Sequence, residues 1–470
     1  MGVALDSRGG RTIVAGGDPA GQQLTVFETV SGRLLRTVGL RGRLLLMPEF
    51  GPDSTLTLDT MAARAYITTY DQPTSSGPAR GYVNVVDTRG GLLLSAVSPR
   101  LPNTMVRGTG GFLLARTLPV AVTADESTGR AFVVNYSDVF ARRRGSVTVV
   151  DGHSGRILGE VLTGKSPQAV AVDQSTGAAF AVWQRTKPAT GEPAEPSHLS
   201  MLDGRDGSVV WTITLPYGGQ PVVAPSLDRL FLVARSDGDA RSTGHLTVIN
   251  TRRRTVVRTL ALDALGSCAL LTLDEPRARA YLASGVAMPD AGGDDPARLR
   301  VLDARTGALL HTTILRGSPR GMAVDTRRGR IMVLLAHEGH GTRDAPGSLV
   351  ILSAQSGGVL YSARVGPNPS GLALDEGNAQ AYVTAVGTRA HDYPYWPPEG
   401  AGALSVVDTR SGVVRRTTSL GVQPLPPVVD QSGRRVVVLS RGGSVPRRGA
   451  HKAYDWRLMP GALTILEMAP

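Results

Sequence analysis

Nine times along this chain a short apolar strand ends in an aspartate, turns tightly, and returns as a second apolar strand. The copies are easily compared: VAVDQSTGAAFAV (170–182), MAVDTRRGRIMVL (322–334), LALDEGNAQAYVT (372–384) and LTLDTMAARAYIT (56–68). A companion hairpin follows, as in GSVTVVDGHSGRIL (145–158), ARLRVLDARTGALL (297–310) and GALSVVDTRSGVV (402–414). The first-hairpin anchors are Asp6, Asp59, Asp125, Asp173, Asp228, Asp274, Asp325, Asp375 and Asp430. The second hairpins centre on Val26, Val85, Val149, Met201, Val248, Val301, Ile351, Val406 and Ile465. Two hairpins per repeat, at a period of roughly fifty residues, make a four-stranded blade that cannot bury its faces alone.

This periodicity predicts an all-β fold: a β-propeller of four-stranded antiparallel blades, about nine repeat units, with seven or eight complete blades as the other count. The chain reads as one domain over 1–470, with units starting near 3, 56, 120, 170, 222, 270, 322, 372 and 426. The turn chemistry is consistent with it. An Asp side chain accepts the backbone N–H groups just ahead of it, and a Gly near the far end takes the positive-φ position. Val, Leu, Ala and Thr dominate the strands, as pleated and largely buried segments require. The ninth unit, GALTILEMAP, supplies only a third strand, and the first begins at its innermost strand. Two readings follow: a closing strand encoded upstream of Met1, or a short last blade.

Composition narrows the function classes. The net charge is +12, and all but three of the 51 basic residues are arginine. These arginines are scattered among turns rather than gathered on a stripe with interleaved aromatics, which argues against nucleic acid as the partner. No run is long enough for a membrane span, and no basic-then-apolar leader follows Met1. The single cysteine, Cys268, excludes an internal disulfide; its apolar setting SCALLTL suits a buried, inert thiol. The chain is expected to be a monomer.

SPQAVAVDQSTGAAFAV, followed by GSVTVVD, resembles the YVTN-type β-propeller repeats, and RAYIT, RAFVVNY (130–136) and QAYVT are close to their second-strand signature. The resemblance covers almost the entire chain and places it with WD40/YVTN repeat-like proteins of the quinoprotein amine dehydrogenase beta-chain-like superfamily. That grouping holds bacterial surface proteins, subunits of quinone- and cytochrome-linked complexes, and lactonase-like enzymes. It implies the propeller and an extracytoplasmic setting, and leaves activity open. The unit LSMLDGRDGSVVW (199–211) also has the Asp203, Gly207 and Trp211 spacing of pyrroloquinoline quinone dehydrogenase blades, whose Trp docks between neighbouring blades. Other units lack that Trp, so no quinone cofactor is expected.

Turns within hairpins are short and alike, whereas the second-to-third-strand connections are long and differ in every repeat. Strand alternation puts the long connections on one face, where function is expected. HEGHGTRD offers His337, Glu338 and His340 as ligands for a divalent metal, with a solvated polar loop as the plainer alternative. HDYPYWPPEG places His391, Tyr393, Tyr395 and Trp396 within six residues, and HKAYDW repeats the theme with His451, Tyr454 and Trp456. These residues form either a self-packed lid or an aromatic platform for a ring, a sugar or a partner's side chain. No nucleophile elbow or phosphate-cradling loop is present. The expected function is non-catalytic binding of a protein or small molecule through the long-loop face, with no cofactor. The alternatives are a metal-assisted hydrolase, lactonase or lyase, and a subunit of a redox complex.

Overall fold

A computed structural model describes residues 2–18, 21–44, 55–71, 80–99, 118–136, 144–165, 167–183, 196–235, 243–263, 265, 268–285, 296–337, 345–387, 401–432, 434–446, 456–459 and 461–468. The repeats fold as nine successive antiparallel sheets, the blades of a β-propeller. Their first strands begin at Gly2, Leu56, Leu118, Pro167, Gln220, Cys268, Ser318, Pro369 and Val428, close to the predicted unit starts. In seven blades the four strands pair strictly in chain order. Blade 2 divides its first strand in two: Arg43–Leu44 and Leu56–Asp59 both pair with Arg64–Tyr70. Among the described residues, blade 9 has three strands, Val428–Asp430, Arg435–Ser440 and Ala462–Glu467, and a separate hairpin pairs Gly443–Pro446 with Trp456–Met459.

The sheets fall into two compact units. The first holds blades 1 to 5 (Met1–Asp237 and His245–Leu260); the second holds blades 6 to 9 (Gly238–Gly244 and Ala261–Pro470). Within each unit the first strands of consecutive blades lie side by side, and the sheets stack through apolar faces. In the second unit Leu299 and Val301 of blade 6 meet Ile331, Val333 and Leu352 of blade 7. The other face of blade 7, with Met332, Leu334 and Ile351, meets Ala381, Val383 and Val407 of blade 8. Each such fully buried aliphatic side chain contributes about 1.5–3 kcal/mol. Strand alternation feeds both faces of every sheet, and that is why second strands read as unbroken apolar runs.

Blades 1 to 8 each have a turn end, carrying the two hairpin turns, and a loop end at the opposite ends of the strands. At the turn end the anchor aspartates act as predicted. Asp6, Asp59, Asp173 and Asp325 accept backbone N–H bonds from Gly9, Ala62, Ser175 and Arg328 at 2.8–2.9 Å. Partial burial pushes the carboxyls of Asp151 and Asp303 up, but hydrogen bonds from the turns they lead outweigh this and hold both below the usual carboxylate range.

Glycine was expected at the positive-φ position of both turns. It holds that place in the third-to-fourth turn of seven blades, with Arg254 in blade 5. The first-to-second turn instead accepts Ala63, Ala278, Ala379, Asp228 and Arg434 at φ of 50–56°. The difference is space. At first-turn Gly10 an added Cβ meets nothing within 4 Å, and at Gly129 and Gly329 nothing nearer than 3.8 Å; first-turn Gly177 is the exception, with Asp125 Oδ2 at 2.9 Å. The third-to-fourth turn presses onto the fourth strand of the preceding blade. A Cβ on Gly91 would lie 2.6 Å from Arg36 Cγ, one on Gly155 2.1 Å from Ser95 Oγ, and one on Gly412 2.6 Å from Tyr361 Cβ. The contact is also polar: the Ser95 and Thr313 hydroxyls donate to the Gly155 and Gly357 carbonyls at 2.8 and 2.7 Å. Glycine there serves the turn and the joint between blades together.

Trp211 follows the same logic. It is 8% exposed, lies 6.1 Å from Phe180 between ring centroids, and shares a cluster with Leu230, Leu232 and Ile249 of blade 5. It therefore docks between neighbouring blades, as its spacing from Asp203 and Gly207 implied.

Candidate functional site

Of the residues singled out in the sequence, His391, Tyr393, Tyr395, Trp396, His451, Tyr454, Glu338 and His340 lie outside the described residues. Trp456 opens the Trp456–Met459 strand, opposite Pro446. His337 directly follows the second strand of blade 7, Arg330–Ala336, and its Nε2 is 2.8 Å from Ser348 Oγ. Burial pushes the His337 imidazole below its usual pKa, so it is neutral at physiological pH. Among the described residues no group of three or more His, Cys, Asp or Glu side chains forms a candidate metal site.

The described part of the loop end shows a different pattern. Each third strand runs from the loop end towards its closing turn, and its buried midpoint is polar in most blades: Asn84, Thr148, Ser200, Thr247, Arg300 and Ser405. Thr148, Ser200, Thr247 and Ser405 bond across their own sheets, whereas Asn84 and Arg300 tie the sheet to neighbouring segments. The Asn84 amide clamps the backbone of Arg41 from both sides, accepting its N–H at 2.9 Å and donating to its carbonyl at 3.2 Å. The Arg300 guanidinium donates to Ser284 Oγ at 2.8 Å, and to the Asp263 carbonyl and carboxylate at 2.8 and 2.6 Å. That guanidinium holds the Asp263 carboxyl below the usual range.

Two residues earlier in the first five of these strands, on the same face and nearer the loops, stand Tyr82, Ser146, His198, His245 and Arg298, with Ser348 at the same position in blade 7. Every one of them is held by a neighbour. The Tyr82 hydroxyl donates to Asp71 at 2.7 Å, and the Arg41 guanidinium lies 4.3 Å above its ring. Burial, and then the bond to Asp71, raise the Tyr82 pKa. Ser146 donates to Glu160 at 2.8 Å and accepts from Asn135 at 3.0 Å. His198 sits 5.9 Å from the Trp183 ring, which is tilted by 45°, and its Nδ1 is 3.4 Å from Thr214 Oγ1.

His245 stacks almost flat on Tyr217, with centroids 3.7 Å apart and planes 7° from parallel. Tyr217 comes from the connection between blades 4 and 5, and both rings are half-buried. Burial lowers the His245 pKa, leaving a neutral ring with one donor and one acceptor nitrogen.

Chemically, these positions of the first unit offer aromatic and imidazole faces with hydrogen-bonding edges, fixed by rigid strands. Each of these groups is paired with a side chain of its own blade or the connection beside it. His198 and His245 went unnoticed in the sequence because attention fell on loops. Aligning the third strands as HLSMLD, HLTVIN, RLRVLD and SLVILS would have exposed the polar column that precedes the Leu.

No protein-family description matches the chain, and no curated protein matches it. Among solved structures, a eukaryotic initiation factor shares 12% identity over 90% of this chain and 88% of that one, with a TM-score of 0.54. The dihydro-heme d1 dehydrogenase NirN, in complex with DHE, shares 14% identity over 87% and 72%, with a TM-score of 0.51. The Dos1 propeller shares 10% over 80% and 86%, with a TM-score of 0.51. These proteins range from a dehydrogenase to an initiation factor, so the likeness concerns fold alone.

Proposed function

We propose that this β-propeller is a non-catalytic binding protein that recognises a partner protein through the loop ends of its blades. The reading is carried by His198 and the His245–Tyr217 stack, half-buried at one strand position in consecutive blades 4 and 5 of the first unit; the same position of blades 2 and 3 holds the buried Tyr82 and Ser146. Tyr is among the residue types enriched at interaction hot spots, and the imidazole stacked on Tyr217 adds one donor and one acceptor nitrogen beside it. Because partner bonds already fix these side chains, little rotamer freedom is lost when a partner docks.

The test compares three purified proteins as baits in quantitative affinity capture from the source cells: the unmodified chain, Tyr217→Ala with His245→Ala, and the turn-end control Arg205→Ala. A partner bound by the unmodified chain is expected to be lost from the double variant and kept by Arg205→Ala. Retention by the double variant, with circular dichroism unchanged, refutes the loop-end assignment.

A further inference from the structure

The turn end of the second unit holds a cleft of about 470 Å³ between blades 8 and 9. Its floor is the face of blade 8 formed by Tyr382, Leu404, Val406, Arg416 and Thr418, and its far wall is Leu466 and Glu467 of blade 9. The cleft coincides with a position that the repeat elsewhere fills. In blade 7 the residue opposite Ile351 is Tyr361, and the Gly412 turn of blade 8 presses on it. In blade 8 the equivalent residue, opposite Val406, is Arg416, which is exposed. The strand that would carry the matching turn in blade 9 is not among the described residues. Among the described residues Ala462–Glu467 pairs only with Arg435–Ser440 and forms the edge of its sheet. Third strands of blades 2 to 7 are mostly buried, whereas Leu463, Thr464, Ile465 and Leu466 are half-exposed.

The charges in the cleft are unequal. Its two carboxylates are already engaged: Asp408 with Arg415 at 2.6 Å, and Glu467 with Arg435 at 2.8 Å. The guanidiniums of Arg410 and Arg416 pair with no carboxylate among the described residues. A strand edge offers unmet backbone donors and acceptors to any extended segment, and pockets beside it select side chains.

We propose that this cleft binds an acidic peptide segment of a partner in extended conformation, added antiparallel to Ala462–Glu467 as a fourth strand of blade 9. Its carboxylates, on the side turned to blade 8, meet Arg410 and Arg416. By the pattern of the other blades, the added strand pairs with a bulge at Ile465/Leu466, as third and fourth strands do at Val301/Leu302, Ile351/Leu352 and Val406/Val407. The site is independent of the loop-end reading, and either can fail without the other.

The probe is a fluorescein-labelled ten-residue peptide alternating glutamate with valine or threonine, compared with its lysine-for-glutamate counterpart by fluorescence anisotropy. Saturable binding of the acidic peptide alone is expected. Arg410→Glu with Arg416→Glu, at two exposed positions, should weaken it by about tenfold or more. Hydrogen exchange at Ala462–Glu467 should slow when the acidic peptide is bound. Equal binding of both peptides, or binding unchanged by charge reversal, overturns the proposal. So do edge amides already protected in the free protein, which would mean that its own chain fills the site. Protection that appears only with concentration-dependent self-association also overturns it, in favour of a second copy.

Discussion

Replacing Gly412 by alanine should destabilise the second unit far more than the same change at Gly329, although the two backbones are nearly alike. Both residues have positive φ, 72° and 62°, so alanine incurs the left-handed penalty at each, about 1–2 kcal/mol. At Gly329 that is the whole cost, since the nearest atoms to a new Cβ belong to the Arg277 guanidinium at 3.8 Å. At Gly412 the new Cβ would lie 2.6 Å from Tyr361 Cβ, an atom fixed to the backbone of blade 7 that no rotamer change removes. Overpacking of that kind adds about 1–3 kcal/mol. For a unit of this size about 1 kcal/mol moves Tm by about 2–4 °C, so the two variants should separate by roughly 2–12 °C. Thermal melts followed by circular dichroism would measure it, with urea midpoints as a second readout. Combining Gly412→Ala with Tyr361→Ala should restore little, because the clashing Cβ remains. Equal losses from the two glycine variants would refute the argument that blade-to-blade approach selects the glycine.

Other outcomes follow from the same geometry. Trp211→Ala should cost about 3–5 kcal/mol in urea denaturation, as expected for a large buried side chain between blades, whereas Val209→Ala, 47% exposed, should stay within about 0.5 kcal/mol. Arg300→Met leaves the buried Ser284 hydroxyl without its donor and should cost about 1–3 kcal/mol; Arg252→Met, in a solvent-exposed pair with Asp228, should be near neutral. The imidazoles of His245 and His337 have folded-state pKa values below the ordinary one, so the unfolded chain binds more protons there. Their contribution is complete above about pH 6.5 and is lost as pH falls from there through the depressed values. Urea midpoints should therefore drop between pH 7.5 and pH 5, and His245→Gln with His337→Gln should flatten that drop. A midpoint equally pH-dependent in the double variant would count against this.

The repeat made the fold readable because strand, Asp-led turn and strand recur with local chemistry that needs no tertiary context. Asp59 and Asp173 cap their turns through bonds set by the adjacent sequence. The choice between Gly412 and Ala379 at similar φ was not readable, since it depends on what the preceding blade places against each turn. The same limit applied to the site. The rarity of aromatics drew attention to His391 to Trp396 and His451 to Trp456, in the long connections. His198, His245 and Tyr82 sit inside strands, where a single sequence shows them as ordinary polar alternation. Their role emerges only when Trp183, Tyr217 and Asp71, distant in the chain or on separate segments, are seen beside them. Trp211 is the opposite case: its spacing from Gly207 within one repeat already encoded its docking place.

The most direct test of the binding role is site-specific photo-crosslinking in the source cells. A photoreactive amino acid would be placed at His198 or Tyr217 on the loop ends, and at Arg205 or Arg305 on the turn ends. The loop-end assignment predicts a discrete crosslinked partner from His198 and Tyr217 and none from Arg205 and Arg305. A partner captured only from Arg205 or Arg305 would contradict it.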